Sequence, residues 1–217
     1  MVRRIDTESV SGFIHEPGHI LKATGAGLAL THGAGANCDA PLLMMIADTF
    51  AACGMTVLRF NLAFRRKRRF GPPHPSSAEA DRQSIRAAAA ALRVEVAGPI
   101  YLGGHSYGGR QATMLAAEAP DIASGLLLLS YPLHPPNKPK DLRTAHFLSL
   151  RTPALFVHGD ADPFGSPEEL RAALALIPAA TRLMVIERAG HDLRKGRIDA
   201  AAVLAELLQT HRASGSA

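Results

Sequence analysis

The chain has 217 residues, 47% of them hydrophobic, and carries 24 Lys and Arg against 19 Asp and Glu, for a net charge of +5 and a pI near 9.6. That length fits one domain, expected over residues 1–212 with a disordered tail at 213–217, and that apolar content is enough to build a core without metal or disulfide support. Cys38 and Cys53 are too few for a disulfide framework or a metal cluster and read as small buried residues in a reducing compartment. No apolar stretch reaches the roughly 18 residues of a membrane span, and the segment from Met1 to Glu8 lacks the apolar core of a secretory signal. The expectation is a cytoplasmic protein, monomer or homodimer, with no membrane partner.

In chain order, Ser9 to His15 suggests an antiparallel strand. Short apolar runs follow at Gly27 to His32, Met55 to Asn61, Ile100 to Gly104, Gly125 to Tyr131, Ala154 to His158 and Arg182 to Glu187. Helical patterns alternate with them at Asp39 to Cys53, Ser77 to Val96, Tyr107 to Ala119, Pro167 to Leu176 and Arg197 to His211. Alternation of this kind predicts an α/β fold, a mostly parallel sheet with helices on both faces. Two helices carry capping signals, Ser76 with Glu79 and Ser166 with Glu169, the second with Pro167 at the first helical position. The Pro-rich stretch from Tyr131 to Pro139 follows a strand, but only about twenty residues precede the next one, an ordinary crossover. A lid domain does not fit there, and the site should be open.

The run from Tyr101 to Gly109 holds Gly104-His105-Ser106-Tyr107-Gly108 between an apolar strand and an Ala-rich helix. This is the context of a nucleophile elbow, in which a strained strand-to-helix turn lifts a serine hydroxyl above the sheet edge. A side chain at either flanking glycine would collide with the neighbouring strand or helix. Ser106 is the candidate nucleophile.

A serine hydroxyl needs a general base, and the base an orienting acid. Asp162 lies on the loop after the Ala154 strand, and His191 on the loop after the Arg182 strand. The order Ser106, Asp162, His191 is the order of α/β hydrolases. Asp160 competes for the acid role but is expected to brace its loop, and Asp192 is the weakest of the three carboxylates. His105, inside the elbow, is expected to point away from the pocket and to pack or hydrogen-bond locally. His32 and His158 read as structural. The loop from Thr31 to Asn37 is small and Gly-rich, so its backbone can approach a carbonyl closely. Ala34 and Tyr107 are assigned as the two backbone donors of an oxyanion hole, each typically worth about 2.7 to 4 kcal/mol in the transition state. Gly33, Asn61, His105 and Pro132 are the candidate substrate-binding residues. A phosphate cradle is the competing reading of the loop, but the Gly-Lys-Ser/Thr ending of a P-loop is absent. No cofactor or metal is called for.

Arg65-Arg66-Lys67-Arg68-Arg69 follows a strand and belongs at the ligand-binding edge of the sheet. It reads as a rim attracting anionic substrates, as a surface for nucleic acid or an acidic partner, or as a solvated loop. Nucleic acid is the least favoured. Arg59 and Asn61 are placed to brace neighbouring loops.

With these residues assembled, the chain resembles the α/β hydrolases of the dienelactone-hydrolase-related superfamily. It is most similar to the hydrolase-like family of testis-expressed protein thirty and the third subunit of the non-specific-lethal complex. The resembling stretches are His32 to Gly35, Arg59 to Asn61, Gly103 to Arg110, Ser130 to Pro136, Phe156 to Gly165 and Gly190-His191. The resemblance implies an eight-stranded, mostly parallel sheet and a Ser106, His191, Asp162 triad, with no well-defined common substrate. Ser106 stands where dienelactone hydrolase has a cysteine, so lactone specificity does not carry over. Some relatives are scaffold-like. The expected function is hydrolysis of a small acyl ester or thioester, the alternative a non-catalytic interaction module on the same scaffold.

Overall fold

The computed structural model describes residues 1–18 and 24–213. One eight-stranded sheet forms its spine: β1 Val2–Asp6, β2 Ser11–His15, β3 Gly27–Thr31, β4 Thr56–Phe60, β5 Ile100–His105, β6 Gly125–Leu129, β7 Ala154–Gly159 and β8 Thr181–Ile186. Their spatial order is β1-β2-β4-β3-β5-β6-β7-β8. From β4 across to β8 all pairings are parallel, while β2 runs antiparallel to both β4 and β1. The described helices are α1 Pro41–Ala52, α2 Ala63–Lys67, α3 Ala78–Glu95, α4 Tyr107–Glu118, α5 Pro167–Leu174 and α6 Ala200–Ala213. The expected tail lies outside the described residues at 214–217, and Ala213 closes α6.

Every residue of β3, β4, β6 and β7 is buried, because helices cover both faces of the sheet. Successive residues serve opposite cores. Ala29, Leu126, Leu128 and Phe156 pack with α3, α4 and α5, while Leu28, Leu30, Leu127, Leu129, Leu155 and Val157 pack with α1 and α6. Strand direction of connection reverses between β3 and β5, which makes the crevice beyond their C-terminal ends the place where a ligand binds in an open α/β sheet. The connection from β6 to β7 contains only the short 3-10 turn Phe147–Ser149, so loops alone roof that crevice.

Three elements depart from expectation. β1 has no apolar run. It is an edge strand held by pairing from Val2↔His15 to Asp6↔Ser11, with Arg3 bonded to Glu16 and Glu95 at 2.7 and 2.6 Å. The basic stretch is helical at α2 rather than a loop. The capping box at Ser76 and Glu79 does not form. Pro75 starts a 3-10 turn, capped by the His74 side chain, so Ser77 already has helical backbone angles and cannot fold its hydroxyl onto α3. Glu79 instead accepts from Arg82 and Gln83. At α5 the box is complete: the Ser166 hydroxyl accepts from Glu169 N at 3.2 Å and the Glu169 carboxylate accepts from Ser166 N at 2.8 Å.

Helix α4 reaches β3 only because Gly108 lacks a side chain. A Cβ there would lie 2.5 Å from the His32 carbonyl oxygen and 2.7 Å from Thr31 Cγ2. Gly108→Ala is therefore expected to cost about 1–3 kcal/mol or more, seen as a lower urea midpoint at unchanged slope.

Candidate active site

Ser106 sits between the end of β5 and the first residue of α4, at φ 52° and ψ −115°. A non-glycine residue held in this region costs about 1–3 kcal/mol. Local contacts enforce it. Ser106 N donates to Leu129 O at 2.8 Å, and Arg110 N to Ser106 O at 3.0 Å, so strand β6 and helix α4 grip the turn from two sides. Gly104 lets them close, since a Cβ there would meet the Gly108 and Gly109 backbone at 2.6 Å.

His191, on the loop after β8, turns its Nε2 to the Ser106 hydroxyl at 2.8 Å and its Nδ1 to the Asp162 carboxylate at 2.8 and 3.0 Å. A carboxylate only accepts, so Nδ1 carries the proton and Nε2 is left to accept from the serine O–H. The Asp162 side chain is fully buried, while His191 is 21% exposed, which leaves the base in reach of solvent. Asp162 is fixed by Phe164 N, which donates to its Oδ1 at 2.9 Å. The two loops meet at Gly159, where a Cβ would lie 2.2 Å from the Ala189 carbonyl oxygen.

The Phe164 ring lies on the imidazole of His191 with centroids 4.1 Å apart. It holds the ring's plane as Asp162 holds its edge. Only the unusual Asp162-Pro163-Phe164-Gly165 string hinted at such a part. Asp160 is exposed and accepts from Ala189 N at 3.2 Å, a brace between the loops. Asp192 is engaged with Arg194.

The loop after β3 lies against the elbow: a Cβ on Gly33 would fall 3.4 Å from Ser106 Cβ. Among the described residues, the N–H groups of Ala34 and Tyr107 have no acceptor. The Tyr107 N–H also opens α4, where the helix dipole favours negative charge. The carbonyls of the β3 loop are held elsewhere, and by a residue whose role sequence reading missed. Arg65 donates to Ala34 O at 2.9 Å, Ala36 O at 2.7 Å, Arg69 O at 2.7 Å, Gly71 O at 3.1 Å and Arg68 O at 3.2 Å. Its side chain is buried, so it is no part of an anion-attracting rim. Arg66 and Arg68 are likewise committed to carbonyls, of Thr7 and Glu8 and of Pro72. A cation surrounded by five carbonyl oxygens satisfies itself inside the protein, which a charge count along the chain cannot reveal.

Of the other candidates, His105 packs beside His191, ring centroids 5.3 Å apart, and donates Nε2–H to the backbone oxygen of His191 at 2.8 Å; burial pushes its pKa down. Asn61 accepts from Cys38 N at 2.9 Å, and Arg59 donates to Asp39 at 3.1 Å, to Cys38 O and to His15, so both brace loops. Pro132 is buried, its carbonyl accepting from Arg143 at 3.3 Å. His158 donates to Gly165 O at 2.7 Å beside Asp162. His32 is buried between Gly33 O at 2.9 Å and Leu62 N at 3.2 Å. Among the described residues no group of three His, Cys, Asp or Glu is placed to hold a metal ion, and no helix is long and apolar enough to cross a membrane.

The alpha/beta hydrolase domain model matches residues 24–214. The chain belongs to that family. Solved structures with the same hydrolase fold include Est1E from Butyrivibrio proteoclasticus, at 17% identity and TM-score 0.73 over 96% of this chain and 98% of that one. XC6422 from Xanthomonas campestris, described as an a/b serine hydrolase without lid, is 17% identical with TM-score 0.72 over 98% and 94%. A dienelactone hydrolase from Anabaena variabilis is 19% identical with TM-score 0.70 over 98% and 95%.

Burial pushes His32 down to about 4, and burial with the Arg110 charge brings His146 to about 4. In the unfolded chain each takes a proton near pH 6.5. The unfolded chain thus binds more protons below about pH 6.5 and down to about pH 4, so the stability these neutral rings contribute is whole above that window and lost as pH falls through it. The urea midpoint is expected to fall on going from about pH 7 to pH 5, and to fall less in His146→Gln.

Proposed function

We propose that this protein is a serine hydrolase that cleaves a small acyl ester or thioester through an acyl-enzyme. The observation that carries the reading is the unbroken chain from the Ser106 hydroxyl through His191 to the Asp162 carboxylate, each link at 2.8 Å. Ser106 attacks the carbonyl as His191 Nε2 takes its proton, and the imidazolium then protonates the leaving alcohol or thiol. Asp162 keeps the proton on Nδ1 and stabilises the imidazolium. The Ala34 and Tyr107 N–H groups receive the oxyanion, and Arg65 positions the first of them by drawing the loop's carbonyls away. Water, activated by the same histidine, releases the acid.

Membership of the hydrolase family supports this, as does the description of XC6422 as a serine hydrolase. Est1E has been solved with ferulic acid bound, which supports a carboxylic acid as the acyl product here. We further propose that the enzyme is related to the family of testis-expressed protein thirty and acts on small molecules in the cytoplasm as a monomer or homodimer. Free thiols at Cys38 and Cys53 support a reducing compartment.

Ser106→Ala is expected to abolish turnover of para-nitrophenyl acetate and labelling by a fluorophosphonate while leaving the circular dichroism unchanged. Turnover equal to wild type would overturn the assignment of Ser106 as nucleophile, and absence of turnover in both proteins would favour the interaction-module reading. Asp162→Asn is expected to lower kcat by about 10³- to 10⁴-fold, measured in the same assay.

A further inference from the structure

The segment after β6, from Tyr131 to His146, is not used by the triad, yet it is built around two arginines. Arg110 stands one turn into α4, its N–H on the Ser106 carbonyl at 3.0 Å. Side chains on a helix lean back toward its N-terminus, here toward the rim that carries Ser106. Arg143 lies on the facing loop and is fixed there: its N donates to Leu133 O at 2.8 Å, its Nη1 to Pro132 O at 3.3 Å, and its carbonyl accepts from the Tyr131 hydroxyl at 2.6 Å. Thr113, on the next turn of α4, joins the two sides. Its hydroxyl donates to Arg110 O at 2.8 Å and accepts from His146 Nε2 at 2.8 Å.

Both arginines are half-buried, and among the described residues neither is paired with a carboxylate. The Arg110 side chain is within hydrogen-bond reach of the Tyr131 hydroxyl, but its Nε is buried with no hydrogen-bond partner. The charge of Arg110 is felt by its neighbours. It adds to burial in lowering the pKa of Arg143 and in holding His146 neutral. From Tyr131 to His146 the only acid is Asp141, against Lys138, Lys140 and Arg143. Elsewhere in this protein a buried guanidinium is surrounded by acceptors, as at Arg65 and Arg59. Two half-buried cations close enough for one charge to lower the pKa of the other, with no carboxylate paired to either, favour an anion that joins them.

We propose that Arg110 and Arg143 form a seat for a carboxylate carried by the ester substrate, so that the preferred substrate is an anionic ester. This rests on Ser106 being the nucleophile; the seat itself does not, and the two are tested apart. Guanidinium groups bind carboxylates through paired, charge-assisted hydrogen bonds, and the seat would orient the scissile carbonyl over Ser106.

The test compares mono-para-nitrophenyl adipate with para-nitrophenyl hexanoate, which match in chain length and differ by one carboxylate, and with the hexanoate ester of para-hydroxybenzoate, which carries the charge on the leaving group. One charged ester is expected to exceed the neutral one in kcat/KM, and which one reveals the half of the substrate that the seat holds. The charged-to-neutral ratio should fall about tenfold or more in Arg110→Gln and Arg143→Gln, with Arg110→Lys intermediate. Calorimetry with free adipate on the Ser106→Ala protein reads the seat without turnover. Binding weakened about tenfold or more by the arginine substitutions supports it. Because Arg143 also braces its loop, Arg143→Lys and circular dichroism separate loss of the seat from loss of fold. No adipate binding, or binding that the substitutions leave unchanged, overturns the inference while Ser106-dependent hydrolysis of the neutral ester would leave the proposed function standing. Arginine-dependent binding with no turnover of any ester would do the reverse.

Discussion

A single residue out of its preferred backbone region organises everything at the rim of the sheet. Ser106, at φ 52° and ψ −115°, is held by a hydrogen bond to β6, by one from α4, and by two glycines that let backbone touch backbone. A strained turn persists only when its surroundings over-determine it. Here the same contacts that impose the turn also set helix α4 against the end of β3, and thereby bring the loop after β3 up to the serine. Loosening any of them would let the hydroxyl drop and the loop after β3 drift together.

The other half of the site uses a second close approach. At Gly159 the loop after β7 comes within reach of the Ala189 carbonyl, and Asp160 seals the junction by accepting from Ala189 N. Asp162 and His191 therefore sit on two loops that behave as one. Phe164 completes the arrangement by packing its ring, tilted by 32°, against the imidazole. Backbone proximity, rather than long side chains reaching across space, is what gives the chain from Asp162 to Ser106 its short links.

The parallel strands and most helices could be read directly, because buried strands of an α/β sheet are continuous apolar runs and their punctuation is Gly, Pro and Asp. Ser106, Asp162 and His191 were legible for a related reason: each follows such a run, where topology carries loops to a common edge. β1 was not legible, since an edge strand with Arg3, Arg4 and Asp6 owes its form to pairing with β2 and not to its own pattern. Arg65 was misread for an electrostatic reason. The four residues that follow it are all basic, whereas its guanidinium is surrounded by carbonyl oxygens from two stretches, Ala34 and Ala36 on one side and Arg68, Arg69 and Gly71 on the other. The Ser76 box failed because Pro75, one residue upstream, began a tighter turn first. Phe164 carried no recognisable signal beyond its place in an uncommon tetrapeptide.

Residues 130–153 pass from β6 to β7 without building a cap, and this shapes how a molecule arrives. A covered crevice makes entry wait on a hinge, and sorts visitors by whether they fit beneath the closed form. One roofed by loops alone has no hinged cap, and selection falls to whatever charges and contours stand along the approach.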